Sequence, residues 1–194
     1  MNKGRLEAFS DGVIAIIITI MVLELKVPHS GGFEALKSVV PTLLLYLLSF
    51  IYVGIYWNNH HHMLHACGKV SGSILWANLH LLFWLSLIPF TTEWMGDNPF
   101  NPAPTAFYGF VLFMSGVAYV VLQSLIIKVA GTDSVLKEAV GRDWKGKASM
   151  LLYLTAIACA FWIPWVSHVI FVSVALLWLI PDRRIERTLA QEEE

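Results

Sequence analysis

Charged side chains are scarce in this sequence. Only 14% of its 194 residues are charged, whereas 57% are hydrophobic, and the mean hydropathy is +0.64. Because soluble domains usually carry about 25% charged residues, this balance argues against a soluble protein. The formal net charge of −1 gives no bulk attraction to a polyanion, so we expect no nucleic-acid partner.

Cysteine is scarce as well. The chain has two, Cys67 near the end of one apolar run and Cys159 inside another. Such placement is typical of small buried residues and not of a disulfide framework or a metal site.

Long apolar runs are what the sequence has instead. Six can be drawn, at about residues 6–25, 36–58, 70–90, 105–130, 148–163 and 165–180. Runs of about 20 apolar residues cross a bilayer as helices, so the sequence predicts an all-α polytopic membrane protein with six transmembrane helices per subunit. Pro89 is expected to end or kink the third run, and residues 91–104 to form a loop. With no internal duplication visible, residues 1–194 are predicted to form a single six-span domain.

The basic residues predict the orientation. If the N-terminus is cytoplasmic, eleven of the thirteen Lys and Arg residues lie inside and only Lys26 and Lys37 lie outside. The positive-inside rule therefore favours cytoplasmic N- and C-termini, which an even number of spans allows.

The stretch 5–28 joins a polar cluster to the first apolar run. In a helix that includes Arg5, Asp11 lies roughly 9 Å further inward, at membrane depth, where an ionisable residue is a functional-site candidate. Alternatively, Asp11 is an interfacial residue that the helix dipole favours near the helix start. The residues alone leave both interpretations open.

One face of this first helix is apolar. Ile16, Ile20 and Leu23 share it by i, i+4, i+7 spacing, and Thr19 lies on its edge. Such a face ordinarily contacts lipid or packs against another helix. Copies of the helix around an axis would instead present isoleucine and leucine rings to a pore, and such hydrophobic constrictions gate by dewetting.

Polar residues in the second and third runs fall on the same predicted side as Ser10 and Asp11. Buried polar groups in a membrane need partners, so we expect hydrogen bonds across the helices, and an Asp–His pair there would respond to pH. For His60 and His61, solvated positions remain an equal alternative, which is preferred for His62 and His65. The polar residues in question are Trp57, Asn59, His60, His61, Trp76, Asn78 and His80.

Rival chemistries use the same residues. His61 and His65 have the i, i+4 spacing of a metal pair, but Cys67 is the only further ligand at a suitable spacing, so no metal site is predicted. A hydrolase is disfavoured because Ser10 lies directly beside Asp11 and no nucleophile elbow is present. Glu24 and Glu93 suit a cation mouth or a transporter, but both lie near the predicted outer surface.

The motif Arg-x-x-x-Phe-Ser-Asp, formed by Arg5, Phe9, Ser10 and Asp11, resembles that of the transmembrane protein 175 family of lysosomal-type potassium channels and their bacterial relatives. The segments YWNNHH and WANLHLLFWLSLIPFTT are also similar to the bacterial members. The chain differs from the animal proteins in having one six-span unit instead of two.

The resemblance implies a tetramer whose first helices line a central pore without a TVGYG selectivity loop. It places the pore-lining residues at Ile16, Thr19 or Ile20, and Leu23, with Ile16 as the narrowest ring. It also implies that the motif Ser and Asp bond to polar residues of neighbouring helices. These partners are expected at Trp57, His60, Asn78 and His80.

The sequence thus predicts a homotetrameric, potassium-permeable cation channel that is not an enzyme, in the bacterial inner membrane. Membrane lipid and potassium or other monovalent cations are its expected partners, and no cofactor is expected beyond the permeating potassium ions. The alternatives are a proton- or cation-coupled transporter that uses Asp11 and nearby histidines, and a metal-handling membrane protein that uses His61 and His65.

Overall fold

The computed structural model describes residues 2–28, 32–130 and 144–179. Within these ranges the chain folds into α-helices joined by short connections, with one 3₁₀ turn at Phe33–Ala35 that leads into the second helix. The helices are α1 (Lys3–Leu23), α2 (Leu36–His65), α3 (Gly72–Ser86), α4 (Ile88–Asp97), α5 (Pro102–Ala130), α6 (Trp144–Cys159) and α7 (Pro164–Leu179).

Four helical stretches in the described residues are long and apolar enough to cross a membrane: Lys3–Leu23, Phe33–His65, Gly72–Asp97 and Pro102–Ala130. Pro164–Leu179 is apolar but shorter, as is the 16-residue α6. At 1.5 Å per residue each spans about 24 Å, less than a hydrocarbon core of about 30 Å. An all-α architecture is therefore confirmed for the described residues, with helices of the length and composition that a membrane protein needs. The number of spans and the side of the termini remain predictions, and the tail 180–194 lies outside the described residues.

The loop predicted at 91–104 is much shorter, because only residues 98–101 lie outside the helices. The helix breaks at Leu87, whose N–H bonds to Trp84 O at 3.2 Å, and it resumes as α4 through Asp97. Pro89 lies in the first turn of α4, where its missing N–H costs no helical hydrogen bond. The break next to Pro89 therefore fits the predicted kink, and the chain continues as a helix beyond it.

The second helix also extends beyond its predicted end. The second apolar run is drawn to about residue 58, whereas α2 continues to His65. Its last turns are held by His60, Met63 and Leu64, which are buried at i, i+3, i+4 spacing on the face toward the bundle.

Packing places α1 at one side of the bundle, against α2, α3 and α4, while α5 contacts α3, α4, α6 and α7. The core between them contains hydroxyls that are paired with one another: Thr92 Oγ1 donates to Ser49 Oγ at 2.7 Å, Ser49 Oγ lies 3.0 Å from Tyr108 Oη, and Tyr52 Oη donates to Phe171 O at 2.6 Å. These bonds join helices that are distant in sequence. They link α2 to α4, α5 and α7.

Candidate functional site

The first helix has two distinct faces. Its buried face follows the period of a helix packed on one side and consists of Leu6, Ser10, Ile14, Ile17 and Met21. The rest of the helix surface is left open within the chain, and its exposed large apolar side chains are Phe9 (52% exposed), Ile16 (59%), Ile20 (41%), Val22 (46%) and Leu23 (75%). Thr19 and Arg5 are exposed beside them. The structure therefore places every residue of the predicted constriction on the uncovered side of α1.

A buried chain of hydrogen bonds fixes this orientation. Asn78 Nδ2 of α3 donates to Ser10 Oγ at 2.9 Å, and Ser10 Oγ donates to Leu6 O at 2.8 Å. His60 Nε2 of α2 lies 2.7 Å from Asn78 Oδ1. Because an amide oxygen can only accept, His60 carries its proton on Nε2. The three side chains are almost fully buried, so rotation of α1 would leave polar groups without partners.

A second, exposed set of contacts joins α1 to α2. Trp57 Nε1 donates to Asp11 Oδ1 at 3.0 Å, and Lys3 Nζ donates to His65 O at 2.6 Å. The two helices are antiparallel, so eight residues along α1 match eight residues along α2. The ammonium of Lys3 also lies at the negative end of the α2 dipole, which is a favourable position for a cation.

Other predicted site residues do not join this network within the chain. His80, expected as a partner of the motif, is exposed, and its Nε2 accepts from Trp84 Nε1 at 2.9 Å in the same helix. Asn78 and His80 are two residues apart, about 200° around a helix, so they cannot both face α1.

The histidine pair considered for metal binding lies at the end of α2. The ring centroids of His61 and His65 are 6.4 Å apart. Cys67, the possible third ligand, is buried with its thiol directed to Lys69 O at 3.4 Å, and burial raises the pKa of that thiol. Over the described ranges, three or more His, Cys, Asp or Glu residues do not gather in an arrangement that could hold a metal ion.

Sequence reasoning missed a groove at the other end of α1. It runs between α1 and the α3–α4 pair and brings together Glu24 and Glu93, which the sequence indicated only as separate surface carboxylates. Nearby, Lys26 forms an ion pair with Asp97. The hydrogen bond to Asp97 raises the pKa of Lys26.

A helical bundle with four helices long enough to cross a membrane, and with an N-terminal helix that is buried on one face only, is the fold of a polytopic membrane protein. Residues 5–89 match the family model described as "Endosomal/lysosomal potassium channel TMEM175". A potassium channel of Chryseobacterium sp. (strain P1-3) is 55% identical over 191 residues, covering 98% of this chain and all of that protein. The chain therefore belongs to the TMEM175 family, as its N-terminal motif predicts.

More distant relatives agree in fold. A potassium channel of Chamaesiphon minutus is 31% identical over 182 residues, which are 86% of this chain and 88% of that protein. The crystal structure of a lysosomal potassium-selective channel TMEM175 homolog from Chamaesiphon minutus superposes with a TM-score of 0.80 at 28% identity, over 93% of this chain and 97% of the other. The similarity thus extends well beyond the motif to nearly the whole chain.

Proposed function

We propose that this protein is a potassium-permeable cation channel in which four copies of α1 surround a central pore. The observation that carries the proposal is the open apolar face of α1, which lies beside the face that the chain's own helices bury. Relatives named as potassium channels, one of them 55% identical over its full length, support potassium as the permeating ion. The single six-span domain, its cytoplasmic termini and its bacterial inner membrane are parts of the same proposal.

In this assembly Ile16 and Leu23 form two apolar rings about 10 Å apart along the helix axis. An isoleucine ring offers no ligands to replace water around an ion, so selectivity rests largely on the lower dehydration cost of potassium. Thr19 lies between the two rings, and its hydroxyl donates to Ala15 O at 2.8 Å. The oxygen lone pairs of Thr19 can therefore coordinate a cation.

A coupled carrier built on an Asp11–histidine pair has less support. Among the described residues, Asp11 accepts from Trp57 and His60 donates to Asn78, so the two titratable groups are each hydrogen-bonded elsewhere. A passive channel also needs no alternating access. We therefore retain the channel as the proposed function, and treat Asp11 and Arg5 as residues that orient α1.

Cysteine scanning of residues 14–24 tests the pore. In a chain with Cys67→Ser and Cys159→Ser, we expect charged thiol reagents to modify cysteines at positions 16, 19, 20 and 23 and to block potassium flux there. Cysteines at positions 14, 17 and 21 should resist modification, because the native residues there are buried against α2, α3 and α4. The measurement is flux into liposomes before and after reagent.

Val22 supplies the matched control, since it is 46% exposed but lies about 120° around the helix from Ile16. A cysteine there should lie off the proposed pore axis and stay unmodified by a water-borne reagent. Equal modification at positions 16 and 22, or none at any position, would count against a pore lined by α1.

Asp11→Ala tests whether the motif supports assembly. The substitution removes the acceptor of the Trp57 indole and should cost about 1 kcal/mol per subunit at this exposed site. Because four copies lose the contact together, we expect a smaller tetramer fraction in size-exclusion chromatography with light scattering. Glu34→Ala, which breaks an exposed ion pair with Lys37 of 2.7 Å, is the control. An Asp11→Ala protein as tetrameric as this control would show that the contact does not support assembly.

A further inference from the structure

The last two helices form a hairpin, α6–α7, with an apolar open face. Residues 148–181 contain no Asp, Glu, Lys or Arg, so the turn between the helices is as uncharged as the helices themselves. The hairpin packs against α2 and α5, whereas α1 packs against α2, α3 and α4. With α1 at the axis of the proposed assembly, the open face points outward to lipid, and only this direction rests on the proposed function. Exposed apolar side chains on this face include Leu151, Leu154, Val169, Val172 and Leu176.

On the predicted cytoplasmic side, α6 and α2 reach polar residues at the same depth. The rings of Tyr153 in α6 and Tyr52 in α2 have centroids 6.4 Å apart, which places these two residues at one level. Lys147 lies six residues, or about 9 Å, inward from Tyr153, and Asn58 lies the same distance inward from Tyr52. Both Lys147 and Asn58 are exposed. They mark a common inner boundary of the apolar surface.

On the predicted outer side the hairpin stops short of α2. Tyr52 Oη donates to Phe171 O at 2.6 Å, so Phe171 lies near the depth of Tyr52. From Phe171, α7 extends outward by seven residues, about 10 Å, to its first residue, Pro164. From Tyr52, α2 extends outward by sixteen residues, about 24 Å, to Leu36. After allowance for the length of the tyrosine side chain, the turn of the hairpin lies roughly 10 Å deeper than the start of α2.

Tryptophans mark both ends of the hairpin. At the turn, Trp162 is 79% exposed and Trp165 is 60% exposed, and tryptophan favours the level of the lipid headgroups. Trp178 lies near the other end of α7, thirteen residues or about 20 Å from Trp165. Since the hydrocarbon core of a typical bilayer is about 30 Å thick, these positions fit a bilayer that is about 10 Å thinner.

A membrane can adapt to a short apolar surface in few ways. The bilayer thins, flanking charged side chains reach out to the headgroups, or another subunit covers the surface. Lys145 and Lys147 can reach outward at the inner end, because lysine has a long apolar stem. The turn has no such side chain, and in the proposed assembly it faces away from the other subunits. Thinning of the outer leaflet is therefore the response that remains at the turn.

We propose that the α6–α7 hairpin binds phospholipids with short acyl chains and holds the outer leaflet in a depression beside each subunit. Trp162 and Trp165 contact the headgroups at the bottom of this depression, and the acyl chains lie along the open face of the two helices. Because the free-energy cost of mismatch grows with every Å, lipids with short chains are enriched there over lipids with long chains.

Tryptophan quenching by brominated lipid tests the enrichment. The purified full-length protein is reconstituted in brominated dioleoyl phosphatidylcholine mixed with an unbrominated competitor, either dimyristoleoyl or dierucoyl phosphatidylcholine. A competitor that displaces more brominated lipid from the protein leaves more fluorescence. We expect the short-chain competitor to bind about twofold or more better than the long-chain one.

Two double substitutions locate the effect. Trp162→Phe with Trp165→Phe removes the reporters at the turn and should at least halve the difference between the competitors. Trp76→Phe with Trp94→Phe removes two tryptophans outside the hairpin, 76% and 37% exposed, and should retain the difference. Equal displacement by the two competitors in the wild-type protein, as a second copy covering the hairpin would give, overturns the proposal. So does a difference that the first double substitution does not reduce.

Thiol accessibility tests the depth of the turn independently. In a chain with Cys67→Ser and Cys159→Ser, a charged water-borne reagent should modify Trp162→Cys in dioleoyl bilayers, because the depressed leaflet brings water to the turn. Val172→Cys, within the open face, should stay unmodified, and Lys37→Cys at the outer end of α2 should react fully. Resistance at position 162 would place the turn in hydrocarbon and overturn the depression. Neither measurement requires ion flux, so this proposal and the pore can fail separately.

Discussion

Ile16→Asn is expected to raise potassium flux into liposomes by about tenfold or more, which corresponds to at least 1.4 kcal/mol removed from the barrier. The carboxamide is smaller than the isoleucine side chain and binds water, so the substitution both widens the ring and makes it polar. A ring of four such groups would keep the narrowest part of the proposed pore wet, and a wet constriction removes the dewetting barrier to ions. The measurement is a fluorescence flux assay on purified protein at a fixed protein-to-lipid ratio.

Val22→Asn is the matched control for this result. Val22 is exposed to a similar degree as Ile20, but it points away from the proposed axis. The same new amide there should leave the flux unchanged, because it wets no constriction. If Ile16→Asn conducts like the wild-type protein, or if Val22→Asn gains as much, Ile16 is not the barrier.

Asn78→Ala is expected to lower the stability of the protein by about 2–4 kcal/mol. The substitution removes the donor to Ser10 and the acceptor for His60 at a fully buried position, and an unsatisfied buried group costs about 1–3 kcal/mol. The lost side-chain volume adds a further penalty. For a chain of this size we expect the unfolding midpoint in detergent to fall by roughly 5–15 °C.

Asn59→Ala separates this network from a general effect of removing an amide. Asn59 is only partly buried, and its Nδ2 donates to Ile55 O within its own helix at 2.9 Å. Its loss should shift the midpoint by no more than a few degrees. A similar shift for both variants would show that the hydrogen bonds between Ser10, Asn78 and His60 add no more stability than an ordinary amide contact within one helix.

Much of the site could be predicted because it depends on short-range periodicity. The 3.6-residue repeat put Ile16, Ile20 and Leu23 on one side of α1, and the structure leaves that side open. Polar residues within apolar helices must find partners, which predicted bonds from Ser10 and Asp11 to neighbouring helices; in the structure Ser10 bonds to Asn78 and Asp11 to Trp57. His80 was grouped with them by position in the chain, although its angular position on α3 already separates it from Asn78.

The features that escaped prediction depend on long-range placement or on the dual role of proline. Pro89 was expected to end or kink the third run, but proline also fits in the first turn of a new helix. Glu24 and Glu93 meet only because α4 continues the line of α3 beside α1, which no local pattern indicates.

The hydrogen bonds that fix α1 restrict the ways in which a pore could open. A twist of this helix about its long axis would pull Ser10 from Asn78 and expose Ile14 and Ile17 to a different environment, at a cost similar to that of the Asn78→Ala substitution. Widening of the proposed pore must therefore come from one of two movements that cost less free energy. Either the isoleucine side chains change rotamer in place, or each subunit leans outward as a rigid block and carries α1 with it.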